Sequence, residues 1–254
     1  DSVGRPNRAV RTFPVREESG LVWVYLGDPD DIVGEPFAFP RFGEEGWGTY
    51  TMVTPFDNSV TNCVENFMDV PHTITVHRGW FRSDKKQAVR TTVERTPGSV
   101  LVTYHQDADS IGFSGRVFNP RNEPVTHTDQ FTMPNITRVD YDFGTSRSFI
   151  ITSQCTPISP MKTLVYTAIT YRLGNPIFNA LGRMVLPPYT RKVIQQDVEI
   201  MANQGESLKR YGQDFSNAPV DVIHQWIQSL RDFARSGGQG EPPAPATAEV
   251  TFWI

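Results

Sequence analysis

The middle of the chain, from residue 87 to residue 172, is dominated by β-branched and aromatic residues that alternate with polar ones. Six segments have this pattern: AVRTTVERT, SVLVTYHQ, THTDQFTMP, ITRVDYDFG, SFIITSQC and TLVYTAITYRL. Turn residues such as PGS, NPRNEP and PISP separate them. A period of two that is broken by Gly, Pro and Asn predicts strands joined by turns, so we expect a long antiparallel meander here.

The N-terminal part of the chain predicts a smaller β unit. Residues 10–15 and 21–27 are apolar runs joined by the polar turn REESG, which indicates a hairpin. Residues 28–47 are rich in Asp, Pro and Gly, a composition typical of linkers and turns. We therefore predict a division into residues 1–42, the end of one domain with its linker, and residues 43–254, a second domain.

A helical segment precedes the meander. Residues 57–77 follow a predicted strand, TYTMVTPF, and Asp57 is the candidate N-cap. Pro71 disfavours helical backbone at the residue before it and suits the first turn of a new helix. We therefore expect two short helices that meet near Asp69.

Helices also follow the meander. Residues 176–213 predict a long helix with an interruption at Pro187 and Pro188, and residues 219–234 predict a shorter amphipathic one. The ending EVTFWI predicts a final strand. The sum is an α+β fold in which a large antiparallel sheet carries a layer of helices on one face.

Composition excludes several classes of protein. The 254 residues include 24 Lys plus Arg and 28 Asp plus Glu, a net charge of −4, so no basic excess favours nucleic acid. No apolar run approaches the roughly 18 residues of a membrane span. Two cysteines are too few for a disulfide framework and fit a reducing compartment, so we expect a cytoplasmic protein.

The segment NCVENFMDVPHTITVHRGWF, residues 62–81, concentrates groups that bind metals. Asp69, His72 and His77 follow the spacing D-x2-H-x4-H. Two residues five apart on a continuous helix point about 140° away from each other, so the histidines converge only if the helix ends between them. The alternative interpretation is a structural pair bonded to the backbone at a helix corner, as we expect of the isolated His105, His127 and His224.

Two histidines leave a metal site incomplete, and the late helix offers a carboxylate. Asp197 shares a largely apolar stripe with Ile194 and Met201, whereas Glu199 lies on the polar face. A carboxylate on a core-facing stripe is costly unless it is paired or bound to a metal. Two His and one carboxylate form the ligand set of non-haem Fe(II) oxygenases, and zinc accepts the same set.

These residues resemble the iron-binding motif of the Rieske non-haem iron oxygenases, in the catalytic domain of the large (alpha) subunit. Asn66, Asp69, His72 and His77 match that family's pattern Asn-x2-Asp-x2-His-x4-His. The segment QQDVEI resembles the helix that carries the family's third ligand, and RTFPVREESGLVWVYLGDP resembles the last strands of its Rieske domain. The vanillate-demethylase-like and pheophorbide-oxygenase-related branch is the most similar.

The resemblance implies a helix-grip catalytic domain, with a long antiparallel sheet over a C-terminal helix, preceded by the end of an all-β Rieske domain. Fe(II) would be held by His72, His77 and Asp197 and would activate O2 to mono- or dioxygenate, or demethylate, an aromatic or other hydrophobic ring compound. Asn66 and Glu65 would lie around these ligands. No motif identifies the residues that contact the substrate.

The resemblance also implies an electron path. Asp69 would accept a hydrogen bond from a ligand histidine and connect it to the [2Fe–2S] Rieske cluster of a neighbouring subunit in a homotrimer. A ferredoxin or reductase would supply the electrons.

One feature departs from the family pattern. A Rieske cluster needs two Cys and two His ligands, which the family supplies as Cys-x-His and Cys-x2-His. Neither Cys63 nor Cys155 is followed by such a histidine. We expect the cluster-binding half to have been lost from a longer chain rather than supplied by another. Two alternatives remain open: a non-enzymatic carrier of hydrophobic ligands, and a zinc-dependent hydrolase that uses the same three ligands.

Overall fold

The computed structural model describes residues 11–32, 34–80, 87–106, 118–121, 123–144, 146–213 and 215–254. The strands are β1 Val15–Glu18, β2 Leu21–Val24, β3 Gly48–Phe56, β4 Ala88–Thr96, β5 Ser99–His105, β6 Thr126–Thr132, β7 Ile136–Asp142, β8 Arg147–Ser159, β9 Lys162–Leu173 and β10 Ala246–Trp253. The α-helices are α1 Val60–Met68, α2 Thr73–Val76, α3 Pro176–Tyr211 and α4 Val222–Arg235. This content of strands and helices confirms the predicted α+β fold class.

One antiparallel sheet of eight strands dominates the fold, in the order β10-β4-β5-β6-β7-β8-β9-β3. Strands β4 to β9 are neighbours in the order in which they follow along the chain, which confirms the predicted meander. The predicted first and last strands of this unit lie at the two edges, with β3 beside β9 and β10 beside β4.

Three helices cover one face of this sheet. Helix α3 packs on β3 and β9, α1 crosses β6 to β9, and α4 lies on β4 and β5 and against α1. Apolar side chains fill the space between the two layers, and the fully buried ones include Phe56, Val64, Met68, Phe131 and Ile227. Burial of this apolar surface is the main favourable contribution to holding the helices on the sheet.

The N-terminal strands β1 and β2 form a separate two-stranded antiparallel sheet, which confirms the predicted hairpin with shorter strands. The turn between them places Ser19 and Gly20 at positive φ, the geometry that suits a two-residue hairpin loop. The Ser19 hydroxyl accepts a hydrogen bond from the backbone of Phe39 at 2.7 Å, which holds the following loop against the hairpin. The part of this unit before residue 11 lies outside the described residues.

Two local expectations were wrong. Asp57 does not cap α1, because the N-cap is Ser59, whose hydroxyl accepts from the backbone of Asn62 at 3.2 Å. Helix α3 also continues through Pro187 and Pro188 without interruption.

The continuity of α3 has a tertiary cause. Before the prolines, the Tyr171 hydroxyl donates to the carbonyl of Asn179 at 3.0 Å, and after them the hydroxyls of Tyr50 and Thr190 lie 2.7 Å apart. Contacts with the sheet on both sides hold the two halves of the helix in line, although a proline inside a helix costs about 3 kcal/mol in isolation. Within the described residues, no helix is both long and apolar enough to cross a membrane.

Candidate metal centre

The chain brings His72 and His77 together by ending one helix and starting another. Helix α1 stops at Met68, and Asp69 takes a non-helical conformation (φ −93°, ψ 83°) before a single 3-10 turn that contains Pro71. This break near Asp69 was predicted. The short α2 then ends at His77, whose own backbone is no longer helical (φ −103°, ψ 22°). The histidines thus flank a four-residue helix, and their Nε2 atoms lie 3.3 Å apart.

Helix α3 adds Asp197 to the pair. Its Oδ1 atom lies 3.4 Å from Nε2 of His72 and 3.2 Å from Nε2 of His77. Asp197 is 4% exposed and His77 is 3% exposed, whereas Glu199 points away from the core and is exposed. The structure therefore brings together the three residues that were predicted as ligands, and we call them the candidate metal centre.

The triangle formed by Nε2 of His72, Nε2 of His77 and Oδ1 of Asp197 has a size that suits a metal ion. The point equidistant from three atoms with sides of 3.2–3.4 Å lies about 1.9 Å from each of them. An imidazole nitrogen bonds zinc at roughly 2.0–2.1 Å. The spacing of Nε2 of His72, Nε2 of His77 and Oδ1 of Asp197 would therefore let all three hold one ion.

Hydrogen bonds at the far side of each ring determine which atoms face the centre. Nδ1 of His72 donates to the backbone carbonyl of Asp69, and Nδ1 of His77 donates to Oε1 of Gln196 at 3.0 Å. Because carbonyl oxygens only accept, a neutral ring that donates through Nδ1 presents a lone pair at Nε2. Both histidines are thereby prepared as metal ligands.

When both rings are neutral, the three inward-facing atoms all carry lone pairs. Asp197 Oδ1 is buried and has no hydrogen-bond partner among the described residues. Electron-rich atoms this close repel one another unless a proton or a cation lies between them. A divalent cation with a preference for imidazole and carboxylate satisfies all three, so the residues present fit the metal that the resemblance implies.

In the candidate metal centre, Asp197 and His72 each favour the charged form of the other. Burial pushes the pKa of Asp197 upward, but the nearby His72 and His77 outweigh it and hold that pKa well below its usual range. Burial pushes the pKa of His72 downward, but Asp197 and Asp69 outweigh it and raise the pKa above the ordinary value. The carboxylate is therefore ionised and ready to bind a cation.

Asp69 contacts His72 through its backbone, whereas the expected contact was through its side chain. The acceptor for His72 is the main-chain carbonyl of Asp69, whereas its carboxylate Oδ2 is 4.0 Å from Nδ1 and the side chain is 55% exposed. The side chain makes no capping hydrogen bond either. The orientation of His72 thus depends on the backbone at Asp69 and leaves the carboxylate available to a group outside the centre.

The other two residues predicted near the ligands occupy different surroundings. Asn66 lines the cavity beside the centre, and its buried Nδ2 has no hydrogen-bond partner within the described part of the chain. Glu65 faces α4, where its Oε1 lies 2.7 Å from Nδ1 of His224. His224, expected to be isolated on a surface helix, is therefore one half of a partly buried pair.

Next to the candidate metal centre lies a cavity of about 130 Å³. Strands β7 to β9 form its floor and α3 its roof. Nearly all of its walls are apolar or aromatic; they include Val139, Tyr141, Phe149, Ile151, Ile169, Leu186, Val193 and Ile194. Sequence reasoning could not find these residues, because the inward side of every strand has the same apolar pattern and only the tertiary packing shows where a gap remains.

Sequence reasoning also missed two polar groups, one half-buried and one fully buried. Gln196, which orients His77, carried no motif and was marked only by its position next to Asp197. His127, expected to be isolated, is fully buried, and its Nε2 lies 3.0 Å from Asp129 Oδ1. His127 also stacks between the rings of Tyr104 and Tyr141, at 4.2 and 4.0 Å.

The two cysteines lie away from solvent in the core between sheet and helices. Cys63 and Cys155 are both fully buried, and burial raises the pKa of Cys63 to about 12. A thiol in this setting stays protonated, whereas an iron–sulfur cluster is bound by thiolates. Their placement is that of packed apolar side chains.

Comparison with known proteins gives a consistent relationship. Residues 56–224 match the sequence model of the vanillate O-demethylase oxygenase C-terminal domain. The chain is 31% identical over 104 residues to a putative toluene-4-sulfonate monooxygenase system iron-sulfur subunit, TsaM2, of Comamonas testosteroni, a match that covers 39% of this chain and 29% of that protein. It is 36% identical over 78 residues to the oxygenase component of dicamba O-demethylase of Stenotrophomonas maltophilia, which covers 30% of this chain and 22% of the relative.

Solved structures share the fold. A mutant of NdmA from Pseudomonas putida, with theobromine, superposes with a TM-score of 0.70 at 16% identity, over 94% of this chain and 66% of that one. Dicamba monooxygenase bound to 3,6-dichlorosalicylic acid gives 0.67 at 19% identity, over 92% and 74%. The matches thus span about a quarter of the sequence relatives and two thirds to three quarters of these structures. Because the matched domain model covers well over half of the chain, the chain belongs to the Rieske oxygenases, in the group of the vanillate O-demethylase oxygenase C-terminal domain.

Proposed function

We propose that this chain is the catalytic part of an oxygenase that uses Fe(II), held by His72, His77 and Asp197, to oxidise a hydrophobic ring compound with O2. One observation carries the proposal: three lone pairs converge on a single point in the wall of an apolar cavity. Family membership supports iron and oxygen chemistry at that point. The matched domain family and one relative are named as O-demethylases and the other relative as part of a monooxygenase system, which supports oxidation or demethylation of a substituted aromatic ring.

The candidate metal centre and the cavity would have separate roles in the proposed reaction. When bound, the Fe(II) would supply the reduction and activation of O2. His72, His77 and Asp197 would hold the Fe(II) at the wall of the cavity. The cavity would hold the substrate beside the metal, and the substrate would not itself be a metal ligand. The apolar walls of the cavity would exclude water from the reaction.

The cavity has a suitable size for such a substrate. At about 130 Å³ it is comparable to an engineered apolar cavity of roughly 150 Å³ that binds benzene. Tyr141 and Phe149 stack at 4.7 Å and present aromatic surface to its interior. We therefore propose a substrate with one aromatic ring or a group of similar size.

Electrons would come from outside the described domain. We propose that the complete protein uses a Rieske cluster, supplied with electrons by a ferredoxin or reductase, and that Asp69 lies where a neighbouring subunit of a trimer delivers them. The half-exposed carboxylate of Asp69, next to His72, supports this. We assign residues 1–42 to the end of the Rieske domain and residues 43–254 to the catalytic domain; in support, β1 and β2 pair only with each other within the described residues.

Metal content tests the proposal. Protein purified without oxygen and equilibrated with Fe(II) is expected to bind one iron per chain. Replacing Asp197 by Ala removes a direct ligand and should weaken binding by more than the roughly 10–100-fold that loss of an outer partner costs. The matched control is Glu199→Ala on the exposed face of the same helix, which should bind iron normally. Equal iron content in the two variants would overturn the ligand assignment.

A second assay separates the oxygenase from the two alternatives, which the comparisons do not favour. Hydrogen peroxide is equivalent to O2 that has already received two electrons and two protons. It can therefore replace both O2 and the electron donor. The iron-loaded chain is expected to convert methoxybenzene and peroxide into phenol, formaldehyde and water. A carrier would bind methoxybenzene without product, and a hydrolase would need zinc and no peroxide; either result would overturn the proposal.

A further inference from the structure

We infer that Gln196 is a positioning residue of the candidate metal centre, because its side-chain carbonyl fixes the ring of His77 with Nε2 toward the metal. The inference rests on the proposed metal site. Gln196 touches neither the metal position nor the cavity lining; it acts through His77.

His77 depends on a distant partner for its orientation. His72 donates to the main-chain carbonyl of Asp69, three residues earlier, so its acceptor lies in the same local turn of the backbone. His77 ends α2, and its Nδ1 instead reaches Oε1 of Gln196, 119 positions further along the chain, at 3.0 Å. The ring is buried, so an unmet N–H there would be expensive. The tertiary contact between α2 and α3 therefore determines how His77 faces the metal.

The position of Gln196 also links two ligands. It precedes Asp197 on α3, so one short stretch of helix supplies a metal ligand and the acceptor that orients another. Any displacement of α3 changes both at once, which couples the packing of the helix to the geometry of the candidate metal centre.

The amide is chemically suited to this place. An amide oxygen accepts a hydrogen bond from the Nδ1–H group without adding a charge, whereas a carboxylate would place a second negative group beside Asp197. A carboxylate acceptor also makes a ligand imidazole more basic. With Gln196, the centre keeps two neutral imidazoles and one carboxylate, a net charge of +1 once Fe(II) is bound.

The chain provides a matched control in the preceding residue. Gln195 has the same side chain on the same helix, but it is exposed and donates to Glu199 Oε1 at 3.2 Å. Gln195→Leu and Gln196→Leu therefore change the same chemistry at neighbouring positions, and only the second removes the acceptor of His77.

The first measurement uses metal-free protein, so it does not depend on the proposed function. Proton–nitrogen correlation spectra at about pH 8, above the ordinary histidine pKa, report which ring nitrogen carries the proton. The wild-type chain and Gln195→Leu are expected to show a proton fixed on Nδ1 of His77, where Gln196 accepts it. Gln196→Leu is expected to lose this preference and give a mixture of tautomers. An unchanged spectrum in Gln196→Leu would overturn the inference.

The second measurement is the affinity for Co(II), followed by its visible absorption. Loss of an outer partner typically weakens metal binding by about 10–100-fold, and we expect that range for Gln196→Leu, with the wild-type affinity for Gln195→Leu. Gln196→Glu keeps the acceptor and the shape of the side chain, so it should restore binding and guards against a folding defect in the leucine variant. Wild-type affinity in Gln196→Leu, or failure of Gln196→Glu to bind, would overturn the inference. Absence of binding by the wild-type chain itself would instead overturn the proposed metal site.

Discussion

At the scale of single residues, the candidate metal centre uses two kinds of acceptor to orient its histidines. A main-chain carbonyl at Asp69 holds His72, and a side-chain amide at Gln196 holds His77. The first cannot be removed by substitution and the second can. Mutations at the two positions should therefore have different effects on metal binding, although both residues are adjacent to a ligand in space.

This difference predicts the behaviour of Asp69→Asn. The carbonyl that accepts from Nδ1 of His72 is unchanged by the substitution, so metal affinity should fall far less than the roughly 10–100-fold expected for a lost orienting partner. No side-chain capping bond is lost either. A titration of wild-type and Asp69→Asn protein with Co(II) measures the effect, with Gln196→Leu as the variant that does lose a partner. A tenfold loss in Asp69→Asn would show that its carboxylate, not its carbonyl, orients His72.

At the scale of elements, two glycines set the distance between α3 and the rest of the domain. A Cβ atom at Gly182 would lie 2.7 Å from the ring of Tyr171, and one at Gly205 would lie 2.5 Å from the backbone carbonyl oxygen of Asp57. These positions lie on either side of Asp197 along the helix. Close packing at both ends brings Asp197 within reach of the histidines on α2.

The close approach at Gly205 predicts the sign of a substitution. In an ordinary helix, Gly→Ala is stabilising by about 1 kcal/mol. Here the added methyl group meets backbone, which cannot rotate away, so Gly205→Ala should lower the free energy of unfolding by about 1–3 kcal/mol. Urea unfolding checks this, with Ser207→Ala on the exposed side of the same helix as the control. A more stable Gly205→Ala variant would show that α3 is free to shift.

At the scale of the whole molecule, the sheet and the three residues that converge at the candidate metal centre could be predicted from the sequence because both depend on local patterns. Alternation gives the strands, and the spacing around Asp69 gives the break that lets His72 and His77 converge. The carboxylate was identified by the helical face of Asp197. These features need only a few neighbouring residues to specify them.

The remaining features depend on contacts between distant parts of the chain. Helix α3 runs through Pro187 and Pro188 because the sheet holds both of its halves, which no local pattern of prolines can indicate. Gln196 is paired with a histidine 119 positions away, and the Glu65–His224 pair spans 159 positions. The cavity is a gap left by packing, and its position follows from the arrangement of β7 to β9 under α3.

The pair of Glu65 and His224 predicts how stability depends on pH. The bond to Glu65 raises the pKa of His224 above its ordinary value of about 6.5, against the effect of its partial burial, and Asp221 raises it further. A histidine whose pKa is raised by folding contributes stability that is fully present below about pH 6.5 and is lost as the pH rises through the folded-state value. Burial, the largest effect on Glu65, raises its pKa too, whereas the nearby His224 and Arg231 act to lower it.

We therefore expect His224→Gln to destabilise the chain most at about pH 6, by about 1 kcal/mol for a partly exposed charged hydrogen bond, and least at about pH 9. Thermal unfolding of wild-type and variant protein across that range measures the difference. Glu65→Gln should show the same trend, because it removes the negative charge that holds the proton on His224, and the double variant should lose less than the sum of the two single changes. Since this pair joins α1, which leads to His72, to the neighbouring α4, its pH dependence would report the docking of α4 on α1. A difference that is constant with pH would mean that the contact acts through packing and not through charge.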